Sequence, residues 1–402
     1  MADRSFLSWP FLSPRHQELH DRVEAWAVAN ISRLSGDGES SAAAAATVRL
    51  MVAEMGKAGL LSTAVGRDRS LRGSLDARSL CICREVLARH AGLADFSFAM
   101  QGLGTGPISL FGTEEQKERW LPSVARGTTI SAFALSEKEA GSDVSALAMR
   151  AQPDGNQWRL DGAKTWISNA GIAGLYVVFA RTGEAPGAKG LSAFVVEADT
   201  PGFSVAKVID LIAPHPIGTL AFDGVRVPAA NMLGSPGDGF RIAMATLDVF
   251  RSTVGAAALG FARRALDEAL KHASRRKLFG QPLSDLQLTR AKLADMALAI
   301  DAAALLIYRA AWTKDVKGTR ISRESSMAKL FATEEAQKVI DSAVQIFGGL
   351  GVTHGHIAEK LYREIRALRI YEGASEVQKL VIATRLLAEA QTGCPHAPVG
   401  QG

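Results

Sequence analysis

Cysteine is scarce: three stand among 402 residues. Cys81 and Cys83 are too close for an ordinary disulfide, and no histidine cluster or second cysteine pair completes a zinc site. Cys394 lies in a Pro/Gly-rich tail. This pattern excludes a disulfide scaffold, implies a reducing compartment and leads us to expect no metal site. The N-terminal Met-Ala-Asp-Arg has neither the basic region nor the apolar run of a signal peptide. A cytoplasmic location is the expectation. Long uninterrupted apolar runs are also missing. We take the most apolar long stretch to be 296–312, and Asp301 and Arg309 break it. It is too short to cross a bilayer, so no membrane is expected as a partner. Dense Lys/Arg runs with interleaved aromatics are absent, and a net charge of +5 is mild, so nucleic acid is not expected either. No Gly-x-Gly-x-x-Gly opens a helix after a strand, which excludes a Rossmann-type nucleotide site.

What is present is a core-forming composition. Hydrophobic residues make up 47%, charged residues 22% and aromatics only 6%, which favours alanine-rich helices and a chain of two or three domains. Residues 1–128 read as an N-terminal helical domain. Val23, Trp26, Ala27 and Ile31 recur at helical spacing over 21–34. The alanines of 42–46 continue into Val48, Met51, Val52 and Met55, and Gly59 stops that helix. A further helix spans 78–90 and ends at Ala91-Gly92. The spacing predicts a loop over 102–106, then a helix with Thr113 as N-cap and Glu114 and Glu115 in its first turn, limited by Pro122.

Residues 129–238 change to strand character, predicting a middle β-barrel-like domain. Buried runs occur at 175–180 and 191–196, alternating ones at 203–208 and 219–227, and a tight turn is expected at Asp161-Gly162. Residues 239–390 read as a C-terminal four-helix bundle, with Leu293, Met296, Ile300, Ala304, Ile307 and Ala311 on one stripe and a second stripe over 325–346. Residues 391–402 read as a polar tail. The fold class is α+β, mainly α.

Five stretches carry chemistry. Tyr371-Glu372-Gly373-Ala374-Ser375-Glu376 puts a carboxylate on irregular backbone just ahead of a helix. Gly373 and Ser375 would loosen and cap the turn. Burial among apolar neighbours would raise the Glu372 pKa toward neutrality, which suits a general base. Phe133-Ala134-Leu135-Ser136-Glu137-Lys138-Glu139-Ala140-Gly141-Ser142-Asp143 runs a strand into a loop of hydroxyls and exposed amides. Lys164-Thr165-Trp166-Ile167-Ser168-Asn169 places a Trp in a strand. Arg276-Lys277-Leu278-Phe279-Gly280 with Gln287, and Gln345-Ile346-Phe347-Gly348-Gly349-Leu350-Gly351, read as helix ends. Asp248 and Arg251, three apart, share one helix face, where a solvated ion pair is the alternative to a ligand contact.

In this order the motifs resemble those of the FAD-dependent acyl-CoA dehydrogenase family, over roughly residues 19–387. The resemblance implies the family fold and the dehydrogenation of an acyl-CoA thioester to a 2,3-enoyl-CoA, with Glu372 as α-proton base and flavin N5 as hydride acceptor. Phe250 stands where some members carry their catalytic Glu, which leaves Glu372. The resemblance implies that Phe133, Leu135, Ser136, Gly141, Ser142, Trp166, Ser168, Arg276, Phe279, Gln287, Gln345, Gly348, Gly349, Ala374 and Glu376 hold FAD. Arg276, Phe279 and Gln287 would reach FAD in a neighbouring subunit, so a homotetramer is implied. Ser142, Asp248, Arg251, Tyr371 and Gly373 would touch the acyl-CoA. An electron-transferring flavoprotein would accept the electrons. An acyl-carrier-protein thioester as substrate, or O2 as acceptor in an oxidase or monooxygenase, are the alternatives. The chain departs from the pattern at Ser136 (commonly Thr), Lys138 (commonly Pro), Ala374 (often Thr) and over 209–217, which lacks an expected arginine.

Overall fold

The computed structural model describes residues 3–36, 40–66 and 75–392. Cys394, most of the 391–402 tail, and Met1 and Ala2 of the N-terminal tetrapeptide lie outside the described residues. The helices are α1 (Pro14–Leu34), α2 (Ser41–Lys57), α3 (Leu61–Ala64), α4 (Ala77–His90), α5 (Gly92–Phe111) and α6 (Glu114–Ala125). The strands β1 (Ser131–Ala134), β2 (Arg150–Asp154), β3 (Gln157–Ser168), β4 (Leu175–Arg181), β5 (Leu191–Glu197), β6 (Phe203–Val208), β7 (Ile217–Pro228) and β8 (Met232–Leu233) follow. Then come α7 (Gly239–Arg275), β9 (Lys277–Leu278), β10 (Gln281–Pro282), α8 (Gln287–Trp312), α9 (Ser322–Phe347), α10 (Ile357–Leu368) and α11 (Ser375–Thr392). The chain forms two compact units, Met1–Ala29 with Ala77–Asp95 and Asp248–Gly402, and Asn30–Asp76 with Phe96–Leu247.

In the first unit α9 packs against α8, α10 and α11, and α4 packs against α8. The stripe read from α8 is the buried one: Met296, Ile300, Ala304, Ile307 and Ala311 are all buried, and Leu293 is half-buried. Small residues let α7 approach its neighbours. A Cβ on Gly255 would meet Ile307 and Ala328, and one on Gly260 would lie 2.2 Å from the Glu85 carbonyl oxygen of α4. The buried Glu85 carboxylate accepts from Arg263 Nε at 2.7 Å and Tyr308 Oη at 2.5 Å, tying α4, α7 and α8 together. Phe6 stacks on Tyr308 and lies under the Arg263 guanidinium. α7, rather than 296–312, is the one helix among the described residues long and apolar enough to cross a membrane, and 89% of its apolar window is buried within the fold.

In the second unit an eight-stranded sheet runs β6-β7-β3-β2-β4-β5-β8, with β1 parallel to β4. β4 and β5 are buried over six consecutive residues each, as their unbroken apolar runs require. Thr113 caps α6 in a full capping box with Gln116. The Gln116 amide also donates to the carbonyls of Ala230 and Met232, so the same side chain anchors the helix to the β8 end of the sheet. Ser40 caps α2 by accepting from the Ala43 amide.

Several expectations are corrected. Residues 102–106 are not a loop: α5 runs through them, because it lies directly on β1. A Cβ on Gly104 would stand 2.5 Å from Ser131 Oγ, and Gln101 Oε1 accepts the Ser131 amide. The glycines there permit close approach rather than breaking the helix. Pro122 does not end α6, which continues to Ala125. Asp161-Gly162 is not a turn but a register shift inside β3, where the Asp161 carboxylate accepts the Gly224 amide. The hairpin turn is Gly155-Asn156, joining β2 to β3. β6 does not alternate: it is exposed nearly throughout, as an edge strand. α1 begins at Pro14, earlier than its periodicity suggested, and α11 takes in the first two residues of the expected tail.

Candidate active site

The turn between α10 and α11 is built against its own preferences. Glu372 sits at φ +54° and Gly373 at φ +96°. A left-handed Glu costs about 1–2 kcal/mol and persists only where its surroundings fix it. They do. Lys329 Nζ, from α9, donates to the Gly373 carbonyl at 2.6 Å, and Gln378 Nε2, from α11, donates to the Gly373 and Glu372 carbonyls at 2.9 and 3.3 Å. Ser375 was expected to cap α11. It is instead the first helical residue, and its hydroxyl donates to Glu334.

This geometry turns the Glu372 side chain inward. Both carboxylate oxygens are buried without a hydrogen-bond partner, although the residue as a whole is only half-buried. Burial therefore dominates and raises its pKa above the ordinary 4.5. Arg84, Lys329 and Arg251 pull it back, in that order, and Asp95 pushes it up. None of these cations hydrogen-bonds to the carboxylate. Arg84 is held in a fork by Asp95, at 2.8 Å to each oxygen, and donates to Thr253. Arg251 Nη1 donates to Asp248 at 2.8 Å, leaving its buried Nε unpartnered. The result is a shielded, unpaired carboxylate in a positive surround: a group able to take a proton and hold it.

Asp248 and Arg251 are not a solvated pair. Both are buried on α7, and Asp248 also accepts from Ser322 Oγ at 2.6 Å. Tyr371 is 37% exposed beside the base. Most of the other residues assigned to this unit lie on its surface. Phe279 and Gly280, both at positive φ, form the tip between β9 and β10, and Phe279 is 86% exposed. Arg276 and Gln287 flank that hairpin and are exposed. Gln345 is exposed in the last turn of α9, and Gly348 and Gly349 follow it with open space where a Cβ would project. Ala374 is half-buried and Glu376 exposed.

In the second unit the structure joins the two stretches expected to line the flavin. The Thr165 amide donates to the Ser136 carbonyl at 2.9 Å. The buried Lys164 ammonium reaches the Leu135 carbonyl at 3.0 Å and Glu137 Oε1 at 2.7 Å, and Glu137 accepts the amides of Ala148 and Met149. Asn169 Nδ2 donates to the Ser131 carbonyl. These bonds fix the loop carrying Gly141 and Ser142, both exposed, against β3. Phe133 is half-buried and Leu135 buried. Trp166 falls in the second register shift of β3, at φ +60°, and is 59% exposed. An indole left so open forfeits much of its apolar burial, about 25 cal/mol per Å². With half-buried Ser168 two residues on, it fits a flat conjugated ring seeking one apolar wall and a hydroxyl.

Sequence reasoning missed Arg84, Asp95, Lys329, Gln378, Lys164 and Glu137. One signal was available. Arg84 follows Leu80, Cys81, Ile82 and Cys83, and Lys329 sits among Ala328, Ala332 and Ala336, each a long cation on an otherwise apolar helix face.

Comparison with known proteins gives the same reading along the chain. The family model for the acyl-CoA dehydrogenase N-terminal domain matches residues 13–128, the middle-domain model 132–225 and the C-terminal-domain model 237–387. The chain is 43% identical to the short-chain specific acyl-CoA dehydrogenase of Rattus norvegicus over 84% of its own length and 82% of that protein. It superposes on the butyryl-CoA dehydrogenase of Megasphaera elsdenii with a TM-score of 0.84 at 34% identity, covering 94% of this chain and 99% of that one. A glutaryl-CoA dehydrogenase of Mycobacterium smegmatis in complex with FADH2 superposes with a TM-score of 0.83 at 27% identity, over 96% of each chain. A shielded carboxylate in the α10–α11 turn, an open indole on β3 and three domain models matched in order lead to one conclusion: the chain belongs to the acyl-CoA dehydrogenase family of oxidoreductases.

Proposed function

We propose that the chain removes one hydrogen from each of the α- and β-carbons of an acyl-CoA thioester, leaving a 2,3-enoyl-CoA. FAD, held by the residues assigned above from Phe133 to Glu376, supplies the acceptance of the β-hydrogen with its electron pair. Glu372 takes the α-proton onto a carboxylate oxygen. The observation that carries this reading is that both of those oxygens are buried and unpaired, so no competing donor must be displaced before the proton arrives. The raised pKa makes the carboxylate a stronger base than one in water, while Arg84, Lys329 and Arg251 keep its ionised form accessible. The Glu372 backbone N–H is assigned as a donor to the thioester oxygen, which acidifies the α-carbon. Trp166 shields the face on which the flavin ring rests.

We assign an electron-transferring flavoprotein as acceptor and a homotetramer as the working assembly. Exposed Leu298 and Leu305, seven apart on α8, and Leu380 and Leu387, seven apart on α11, support the assembly, since each pair forms an apolar strip on one helix face. The test is anaerobic mixing of the yellow Glu372→Gln protein with butyryl-CoA. Flavin should stay bound, and reduction should slow by about 10² to 10⁴. Bleaching at the parent rate refutes the assignment. Peroxide formed during aerobic turnover by the parent would mark an oxidase instead.

A further inference from the structure

Lys329 is a costly residue where it stands. It is fully buried on α9, and the one hydrogen bond it makes among the described residues is to the Gly373 carbonyl, at 2.6 Å. Burying an ammonium is expensive unless it is paired, so an Ala or Met would suit the packing of α9 better. The carbonyl it grips belongs to the residue after Glu372, in a turn with two consecutive positive φ angles. Gln378 grips the same carbonyl from α11. Two donors from two helices thus converge on one backbone oxygen, and the only strained non-glycine residue of that turn is Glu372. A charged donor makes the stronger of the two bonds.

We infer that Lys329 is a positioning residue: with Gln378 it clamps the Gly373 carbonyl and so holds the Glu372 carboxylate in its inward, unpartnered orientation. The inference rests on Glu372 being the base. Without the clamp the turn relaxes toward negative φ, and the carboxylate swings away from the α-carbon it must reach. Misplacing a reacting group by about 1 Å costs on the order of 10² in rate. Lys329 also bears on the charge of the base. The groups facing Glu372 are Arg84 of α4, Asp95 at the start of α5, Arg251 of α7, Lys329 of α9 and Tyr371 of its own turn, and Lys329 further faces Glu334 and Glu376. Removing Lys329 subtracts one of three cations that favour the carboxylate, so the acid limb of kcat/KM should move to higher pH.

The experiment compares flavin-loaded parent, Lys329→Met, Lys329→Arg and Gln378→Met with butyryl-CoA as substrate. Amide hydrogen exchange is followed by mass spectrometry on a peptide spanning 370–379. Lys329→Met should lose at least about tenfold in kcat with KM changed less than about threefold, and its acid limb should shift upward. Amides of the turn should exchange at least about tenfold faster, with α9 itself unchanged. Lys329→Arg, which keeps a charged donor, should recover most of both losses. Gln378→Met should show the same pattern to a smaller extent, and it decides the matter if Lys329→Met does not fold. Parent-like exchange at the turn, or acceleration spread along all of α9, overturns the clamp. Parent-rate turnover by Glu372→Gln would overturn the base assignment alone, because the exchange measurement still decides whether the turn is held.

Discussion

Replacing Glu372 by Gln should raise stability at neutral pH while removing activity. The carboxylate is buried, neither oxygen has a partner, and burial is the largest influence on its pKa, which it raises. The sign follows from linkage. A carboxyl whose pKa is raised by folding contributes its full stability below its ordinary value of 4.5, where it is protonated folded and unfolded alike. That contribution is lost as pH rises through the folded value, because the folded protein must then ionise a shielded group. Glutamine never ionises. The two proteins should therefore be about equally stable near pH 4, and the variant should gain steadily toward pH 7.5. An unsatisfied buried polar group costs about 1–3 kcal/mol, and more when charged. Arg84, Lys329 and Arg251 offset part of that, and an unpaired amide keeps part of it, so the gain should be about 1–2 kcal/mol at the upper pH. In Tm this is a rise of about 1 to 2.5 °C for a chain of 402 residues. Urea melts of the flavin-loaded proteins at intervals between pH 4 and 7.5 measure it. A variant that is less stable at pH 7.5, or a difference that does not change with pH, would refute the reasoning. The base would then not be under desolvation stress.

Lys164→Met should cost about 3–5 kcal/mol, because it strips the cation from the Glu137 carboxylate and leaves a charge with only two amides; urea denaturation at pH 7 reads this directly. Burial pulls the Lys164 pKa down to about 8 from 10.5, so between those values the unfolded chain holds more protons and this residue adds stability as pH rises. The variant's melts should lack that increment. Gly104→Ala should destabilise by about 1–3 kcal/mol despite alanine's better helix propensity, since the new Cβ would lie 2.5 Å from Ser131 Oγ and 2.8 Å from the Ala132 amide nitrogen. A neutral or stabilising result would mean that α5 can lift from β1.

Much of the architecture follows from local rules. The Thr113 cap, the six-residue buried runs of β4 and β5, the alanine-rich α2 and the stripe on α8 were legible because each depends on residues near in sequence. The errors share a cause. Gly102 to Gly106, Pro122 and Asp161-Gly162 carry breaker residues that locally favour loops and turns, yet the chain stays helix or strand through each, and at the first and last a long-range packing surface or partner holds it there. For α5 that surface is β1, and for Asp161 it is the Gly224 amide. Glu372 was legible as a candidate from its turn and its resemblance to a known motif. The cations that surround it were not, since Lys329 and Arg84 lie 43 and 288 positions away.

The sequence by itself determined most of the segments that are helix or strand, the family and the carboxylate to propose as the base, because periodicity, caps and motifs are properties of neighbours along the chain. Only the tertiary structure decided that this carboxylate would be unpaired, that Asp248 would be spent on Arg251 and Ser322, and that a buried lysine would hold the turn. Hydrogen bonding and desolvation depend on which helices meet, and no spacing in the sequence encodes that.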